Sequence, residues 1–121
     1  LLGLSGLSSD MRVLRQSDSP NAREALDVYA YRVAREIGSL VTALRGLDAL
    51  VFTAGIGQND ADARREICDH LSWLGVELDT SANACSEKII SSGGSRVAVA
   101  VVPANEERVI AGEAIALTLP A

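Results

Sequence analysis

The sequence predicts an α/β fold with a mixed, mostly parallel sheet flanked by helices. Three observations point there. A short β-tolerant run, Leu47-Asp48-Ala49-Leu50-Val51-Phe52, passes through glycines into a helix-like segment, Asp60-Ala61-Asp62-Ala63-Arg64-Arg65. A β-branched run, Arg96 to Val102 (RVAVAVV), leads past Pro103 into another helix-like segment. A long apolar stripe at helical spacing precedes both. Strands alternating with helices imply parallel pairing and right-handed crossovers.

Residues 1–12, LLGLSGLSSDMR, read as a loop or an interrupted strand, because Gly and Ser separate Leu2, Leu4 and Leu7. Ser8-Ser9-Asp10 can turn the chain by local hydrogen bonding, either as a helix cap or as a polar clamp. A helix then begins with Ser19 as N-cap and Pro20 as its first residue. Ala22, Leu26, Tyr29, Val33, Ile37, Leu40 and Leu44 recur every three or four positions and define one stripe. Gly46 stops this helix after about 25 residues. Its length makes it a candidate spine or subunit contact.

Leu47 to Phe52 predicts a buried strand, and Thr53 to Asn59 a glycine turn. The helix from Asp60 places Ala63, Ile67, Leu71 and Leu74 on one face and ends at Gly75. His70 falls at the edge of that face, and Trp73 reads as packing. Val76-Glu77-Leu78 and Ile89-Ile90 suit short strands. Asp79 to Ser86 reads as a polar turn, and Ser91 to Ser95 as a flexible one. Pro103 ends the strand from Arg96. Asn105 then caps a last helix from Glu106 to about Leu117, with Ile110, Ala114 and Leu117 inward.

A strand feeding through glycines into a helix N-terminus directs backbone N–H groups outward, where the helix dipole favours anions. Glycine keeps a Cβ from holding a ligand off the backbone, and Gly57 is the position expected to tolerate no side chain for that reason. No Lys-Ser/Thr follows the glycines, which excludes a P-loop. A third glycine would fall at Asp60, so the dinucleotide fingerprint is also broken. Spacing alone favours a turn that merely links strand to helix. The polar turns after Phe52 and after Val102 nevertheless both lie at carboxyl ends of predicted strands, where parallel sheets collect ligands.

The 121 residues suffice for one domain with a core, and 48% apolar content is that of a globular chain. Aromatics at 3% argue against base-stacking platforms. A net charge of −5 without a basic run argues against a nucleic-acid surface. No apolar run reaches transmembrane length, so no membrane partner is expected. Cys68 and Cys85 lack metal-ligand spacing, and the chain has one His, so two free thiols in a reducing cytoplasm are the expectation. The opening Leu1-Leu2-Gly3-Leu4 has no starting Met and no basic region. It does not suit a signal peptide and reads as cut from a longer protein.

Three segments together resemble one family. Ser5-Gly6-Leu7-Ser8-Ser9-Asp10-Met11-Arg12, Phe52-Thr53-Ala54-Gly55-Ile56-Gly57-Gln58-Asn59 and Pro103-Ala104-Asn105-Glu106-Glu107 look like the C-terminal part of acetate kinases, in matching order and spacing. The resemblance covers essentially the whole chain. It implies a ribonuclease-H-like C-terminal lobe of an actin-like kinase fold, in the superfamily of sugar kinases, Hsp70 and actin. Residues 1–121 would be a single nucleotide-binding lobe whose N-terminal lobe is absent. Acetate kinases reversibly transfer the γ-phosphoryl of ATP to a short-chain carboxylate, with Mg²⁺. By match to the family motifs, Asp10, Met11 and Arg12 would contact the adenosine end of the nucleotide. Gly55, Ile56, Gly57, Gln58 and Asn59 would contact adenine and phosphate, and Glu106 would help hold magnesium. Catalytic residues and the carboxylate pocket would lie in the absent lobe, leaving this chain inactive alone. Family members pair as homodimers through this lobe. The family usually has Glu where this chain has Gln58, and Thr where it has Ala104.

Two other readings differ in class. A stand-alone nucleotide-binding or dimerisation module would need no catalytic residues. A dinucleotide-dependent oxidoreductase is disfavoured by the missing third glycine and by the lack of an acidic residue ending the next clear strand.

Overall fold

Pro20 presets the first helical φ, and Ser19 before it is extended, so the chain enters α3 (Pro20–Leu44) where the sequence predicts. In the computed structural model, which describes residues 1–105 together with 110, 111, 114 and 115, this 25-residue helix is the longest element. Its last residue is Leu44, two positions before the expected glycine. Arg45 takes the left-handed conformation (φ 61°), and the Gly46 N–H donates to the Val41 carbonyl at 3.1 Å.

The buried face of α3 serves two clusters. Ala22, Ala25 and Leu26 pack with Met11, Leu14 and Ala63. Ala30 and Ala34 pack with Phe52, Ile67, Leu71, Val97, Val99 and Val101. Tyr29 joins the two clusters. From residue 30 on, the predicted stripe is offset from the buried face: Ala30, Ala34 and Val41 are buried, whereas Val33 and Ile37 are half-buried and Leu40 and Leu44 are 63% and 69% exposed.

Strand β1 (Ala49–Phe52) pairs in parallel with β2 (Ala98–Val101), in the register Ala49 to Ala98 through Phe52 to Val101. On its other side β2 is met by residues 88–90, through an antiparallel bridge between Ile89 and Ala100 and the Ile90 N–H to Val99 carbonyl bond of 2.8 Å. The sheet is thus mixed, and β2 is its buried centre. The expected burial of the first strand is confined to its end. Phe52 is buried, but Val51 is 53% exposed, because only β2 covers β1 among the described residues. Residues 76–78 and 89–90 form isolated bridges rather than strands.

Other expectations need correction. Residues 1–12 are not strand-like: they carry α1 (Leu2–Ser5) and the start of α2 (Met11–Arg15). Ser5 Oγ accepts the Leu7 and Ser8 N–H groups and donates to the Ser8 carbonyl, which makes the turn between them. The glycines of residues 53–59 form a short helix, α4 (Ala54–Asn59), instead of an open turn. The next helix, α5 (Ala61–Asp69), stops before a 3₁₀ turn at Ser72–Leu74, and Gly75 (φ 84°) closes that turn. The supposed polar turn after Asp79 is α6 (Thr80–Ala84), capped by Asp79 Oδ1 through the Ser81 and Ala82 N–H groups. Trp73 does not pack inward: it is 68% exposed. His70 is exposed, as expected, and meets Tyr31 edge-on at 5.8 Å. Ile110 and Ala114 are helical but exposed, not inward, while Glu106 and Leu117 lie outside the described residues.

Candidate functional site

Helix α2 presents the first predicted segment. Asp10 is its N-cap: Oδ1 accepts the Arg12 N–H at 2.8 Å, and Arg12 Nη2 donates to Oδ2 at 2.8 Å. The cap reading of this turn holds. The Arg12 guanidinium holds the Asp10 carboxyl below the usual carboxylate range. Met11 is buried in the core, so only its backbone is available to the cleft side. Arg12 is exposed at the rim.

Helix α4 presents the second. Thr53 is extended, and Ala54 then adopts φ 59°, an uncommon conformation for a residue with a Cβ. The two glycines play different parts. A Cβ on Gly57 would stand 3.2 Å from the Phe52 carbonyl carbon, so the strand end itself crowds that position. A Cβ on Gly55 would meet nothing within 4 Å, so Gly55 is the glycine that borders open space.

Helix α5 was expected to offer its N-terminus to an anion. That end already holds a carboxylate, since Asp60 Oδ1 accepts the Ala63 N–H at 2.8 Å. Arg15, at the end of α2, reaches across to it at 3.4 Å and forks onto the Glu66 carboxylate at 2.7 and 2.8 Å.

These contacts bring the two predicted segments together. Asp10, Met11 and Arg12 line one side of a cleft of about 800 Å³, and Gly55, Ile56 and Asn59 line the other, with Arg15, Asp60 and Asp62 between. Gly57 and Gln58 do not line it. Gly57 faces a separate hollow with Tyr29, Phe52 and Arg64. Gln58 lies with Asn59, Ser86, Lys88 and Pro103 on a groove of about 400 Å³. Asn59 borders both spaces, so the groove runs from the cleft towards the polar turn after Val102.

Each carboxylate on the cleft is already engaged: Asp10 by Arg12, Asp60 by Arg15 and the Ala63 N–H, and Asp62 by Arg65 at 3.0 Å. Among the described residues no group of three His, Cys, Asp or Glu could hold a metal ion. They do not fit a protein cage for magnesium, and Glu106 lies outside them.

Sequence reasoning missed Arg64. It is wholly buried, and its guanidinium donates to the carbonyls of Gly57 (2.9 Å), Gln58 (2.9 Å) and Asn83 (2.7 Å), to Asn83 Oδ1 (2.7 Å) and to Ser86 Oγ (2.9 Å). Burial pushes its pKa down from the ordinary value, though an arginine stays charged. The signal available was its spacing: Arg64 stands one turn before Cys68 and two before Leu71, on the apolar side of α5.

The fold and cleft define a class: an α/β lobe that gathers two sequence-distant backbone segments at the mouth of a small parallel sheet. The chain belongs to the Acetokinase family, whose model matches residues 1–112. It is 51% identical over 113 residues to the acetate kinase of Rickettsia felis, covering 93% of this chain and 29% of that one. To the acetate kinase of Rhodopseudomonas palustris it is 50% identical, covering 92% and 28%. Among solved structures it is similar to Porphyromonas gingivalis acetate kinase, with a TM-score of 0.86 and 33% identity over 98% of this chain and 31% of that chain. A propionate kinase from Francisella tularensis matches with a TM-score of 0.85 and 38% identity, over 93% of this chain and 29% of that chain. The chain therefore spans less than a third of the length of these relatives.

Proposed function

We propose that this chain is the adenine-nucleotide-binding lobe of an acetate kinase. The whole enzyme would reversibly transfer the γ-phosphoryl group of ATP to a short-chain carboxylate, giving an acyl phosphate and ADP. The observation that carries this reading is the cleft of about 800 Å³, where Asp10 to Arg12 converge with Gly55, Ile56 and Asn59 from opposite sides. Family membership and the named relatives support it.

In this reading the segment at Met11 contributes backbone and the Arg12 guanidinium to the nucleotide. The backbone at Gly55 and Ile56, with the Asn59 side chain, faces it from across the cleft. Gln58 and Lys88 line the groove that continues from Asn59. Phosphoryl transfer needs charge neutralisation and in-line positioning of the reactants. No catalytic residue is assigned to residues 1–121. The carboxylate site and the catalytic groups belong to the remaining length of the kinase, and the chain alone is inactive. Magnesium would enter with the nucleotide phosphates and approach through Glu106, since Mg²⁺ so bound keeps few protein ligands. A second copy is a further partner, with α3 as a spine near the contact. We place the enzyme in the cytoplasm, in keeping with its two free thiols and with the lack of any helix, among the described residues, long and apolar enough to cross a membrane.

The test is acyl phosphate formation by the full-length protein across acetate, propionate and butyrate. Acyl phosphate and ADP forming in equal amounts support the reading. ATP hydrolysis without acyl phosphate, or no nucleotide turnover, overturns it.

A further inference from the structure

Helix α4 has six residues, and none of them is buried. So short a helix does not hold itself, and no apolar side chain anchors it. Gly57 rests against the Phe52 backbone on one side. On the other side two hydrogen bonds hold it, from Arg64 Nη1 to the Gly57 and Gln58 carbonyls, both at 2.9 Å.

We propose that Arg64 is a positioning residue of the nucleotide cleft, fixing the C-terminal end of α4 against α6 so that Ile56 and Asn59 face the nucleotide. This rests on the nucleotide-binding reading given above. All five guanidinium hydrogens are used: one from Nε and two from each Nη, on five acceptors. The planar fork thereby fixes the distance between two helix ends. The backbone acceptors lie at the C-terminal ends of α4 and α6, whose orphan carbonyls carry partial negative charge. The cation is therefore accommodated without a carboxylate in contact. The far end of the clamp is itself fixed, because Asn83 Nδ2 donates to the Ala61 carbonyl at 2.9 Å. Ser86 Oγ closes the ring: it accepts from Arg64 and donates to the Gln58 carbonyl at 3.3 Å. Lysine cannot replace this, having three donors and no fork.

The full-length protein is assayed as wild type, Ser86→Ala and Arg64→Lys, reading the KM for ATP, the KM for acetate, kcat and Tm. Ser86 is exposed, so its truncation removes the ring closure without opening the core. Ser86→Ala should raise the KM for ATP about threefold while leaving the KM for acetate and Tm unchanged. Arg64→Lys should raise it about tenfold or more. If Arg64→Lys does not fold, Ser86→Ala decides alone. An unchanged KM for ATP in Ser86→Ala, or equal rises in the two KM values, overturns the positioning role. A wild type that turns over no nucleotide instead overturns the reading of the cleft.

Discussion

Arg15 and Glu66 lie 51 positions apart and meet fork to carboxylate, at 2.8 Å and 2.7 Å. The pair ties the end of α2 to the middle of α5, two helices whose residues border the cleft. Its hydrogen bond to Glu66 holds the Arg15 guanidinium well above the usual arginine range. Glu66 is buried, and its other cations, Arg23 at 3.5 Å and Arg65 at 3.7 Å, are more exposed. Arg15→Ala leaves a buried carboxylate with these weaker partners. It should destabilise the protein by about 1–3 kcal/mol, below the usual cost of orphaning a buried charge. Chemical denaturation checks this, and Arg65→Ala should cost clearly less.

Gly55 and Gly57 should respond oppositely to a methyl group. Gly57→Ala pushes a Cβ towards the Phe52 backbone at 3.2 Å and should lower stability. Gly55→Ala meets nothing within 4 Å and sits in a helix, so it should be neutral or stabilising by up to about 1 kcal/mol. On the nucleotide reading, Gly55→Ala should still weaken ADP binding. Paired melting curves and ADP titrations separate the two effects.

The two thiols should differ sharply in reactivity. Burial pushes the Cys68 thiol up to about 12, whereas Cys85 is exposed. A maleimide at neutral pH should label Cys85 in the native protein and both cysteines after unfolding. Rapid native labelling of Cys68 would show that the cluster of Ile67, Leu71 and Val99 opens readily.

Acid should loosen two caps. Asp10 is held below the usual carboxylate value of 3.8 by Arg12, and Asp79 by the Ala82 N–H and its neighbours. A depressed folded-state pKa contributes stability that is present above the unfolded value and lost as pH falls through the folded one. The N-terminal turns of α2 and α6 should therefore fray only on acidification below that value, read by amide exchange at Arg12 and Ala82. Fraying already complete at pH 3.8 or above would contradict the assignment.

The parts of this molecule that were legible in the sequence share one property: their cause is local or periodic. Pro20 after Ser19, the extent of α3 and the β-branched run into Pro103 state their structure within a few residues. The rest depends on partners distant in the chain. Two glycines within six residues lower helix propensity, so residues 53–59 read as a turn; a strand end and a buried arginine make them a helix. Arg64 looks like a surface charge because its acceptors Asn83 and Ser86 stand 19 and 22 positions away. The cleft itself was legible only through family motifs. No spacing rule relates Asp10 to Gly55, yet Arg15, Asp60 and Glu66 bring them together.

Amide hydrogen exchange of the full-length protein, with and without saturating ADP, reads both walls of the cleft in one measurement. Protection should rise together at residues 10–12 and at residues 55, 56 and 59, with little change in a separate hollow lined by Arg23, Tyr31, Arg65 and His70. Protection confined to one wall, or absent from both while ADP is bound, would contradict the placement of the nucleotide between α2 and α4.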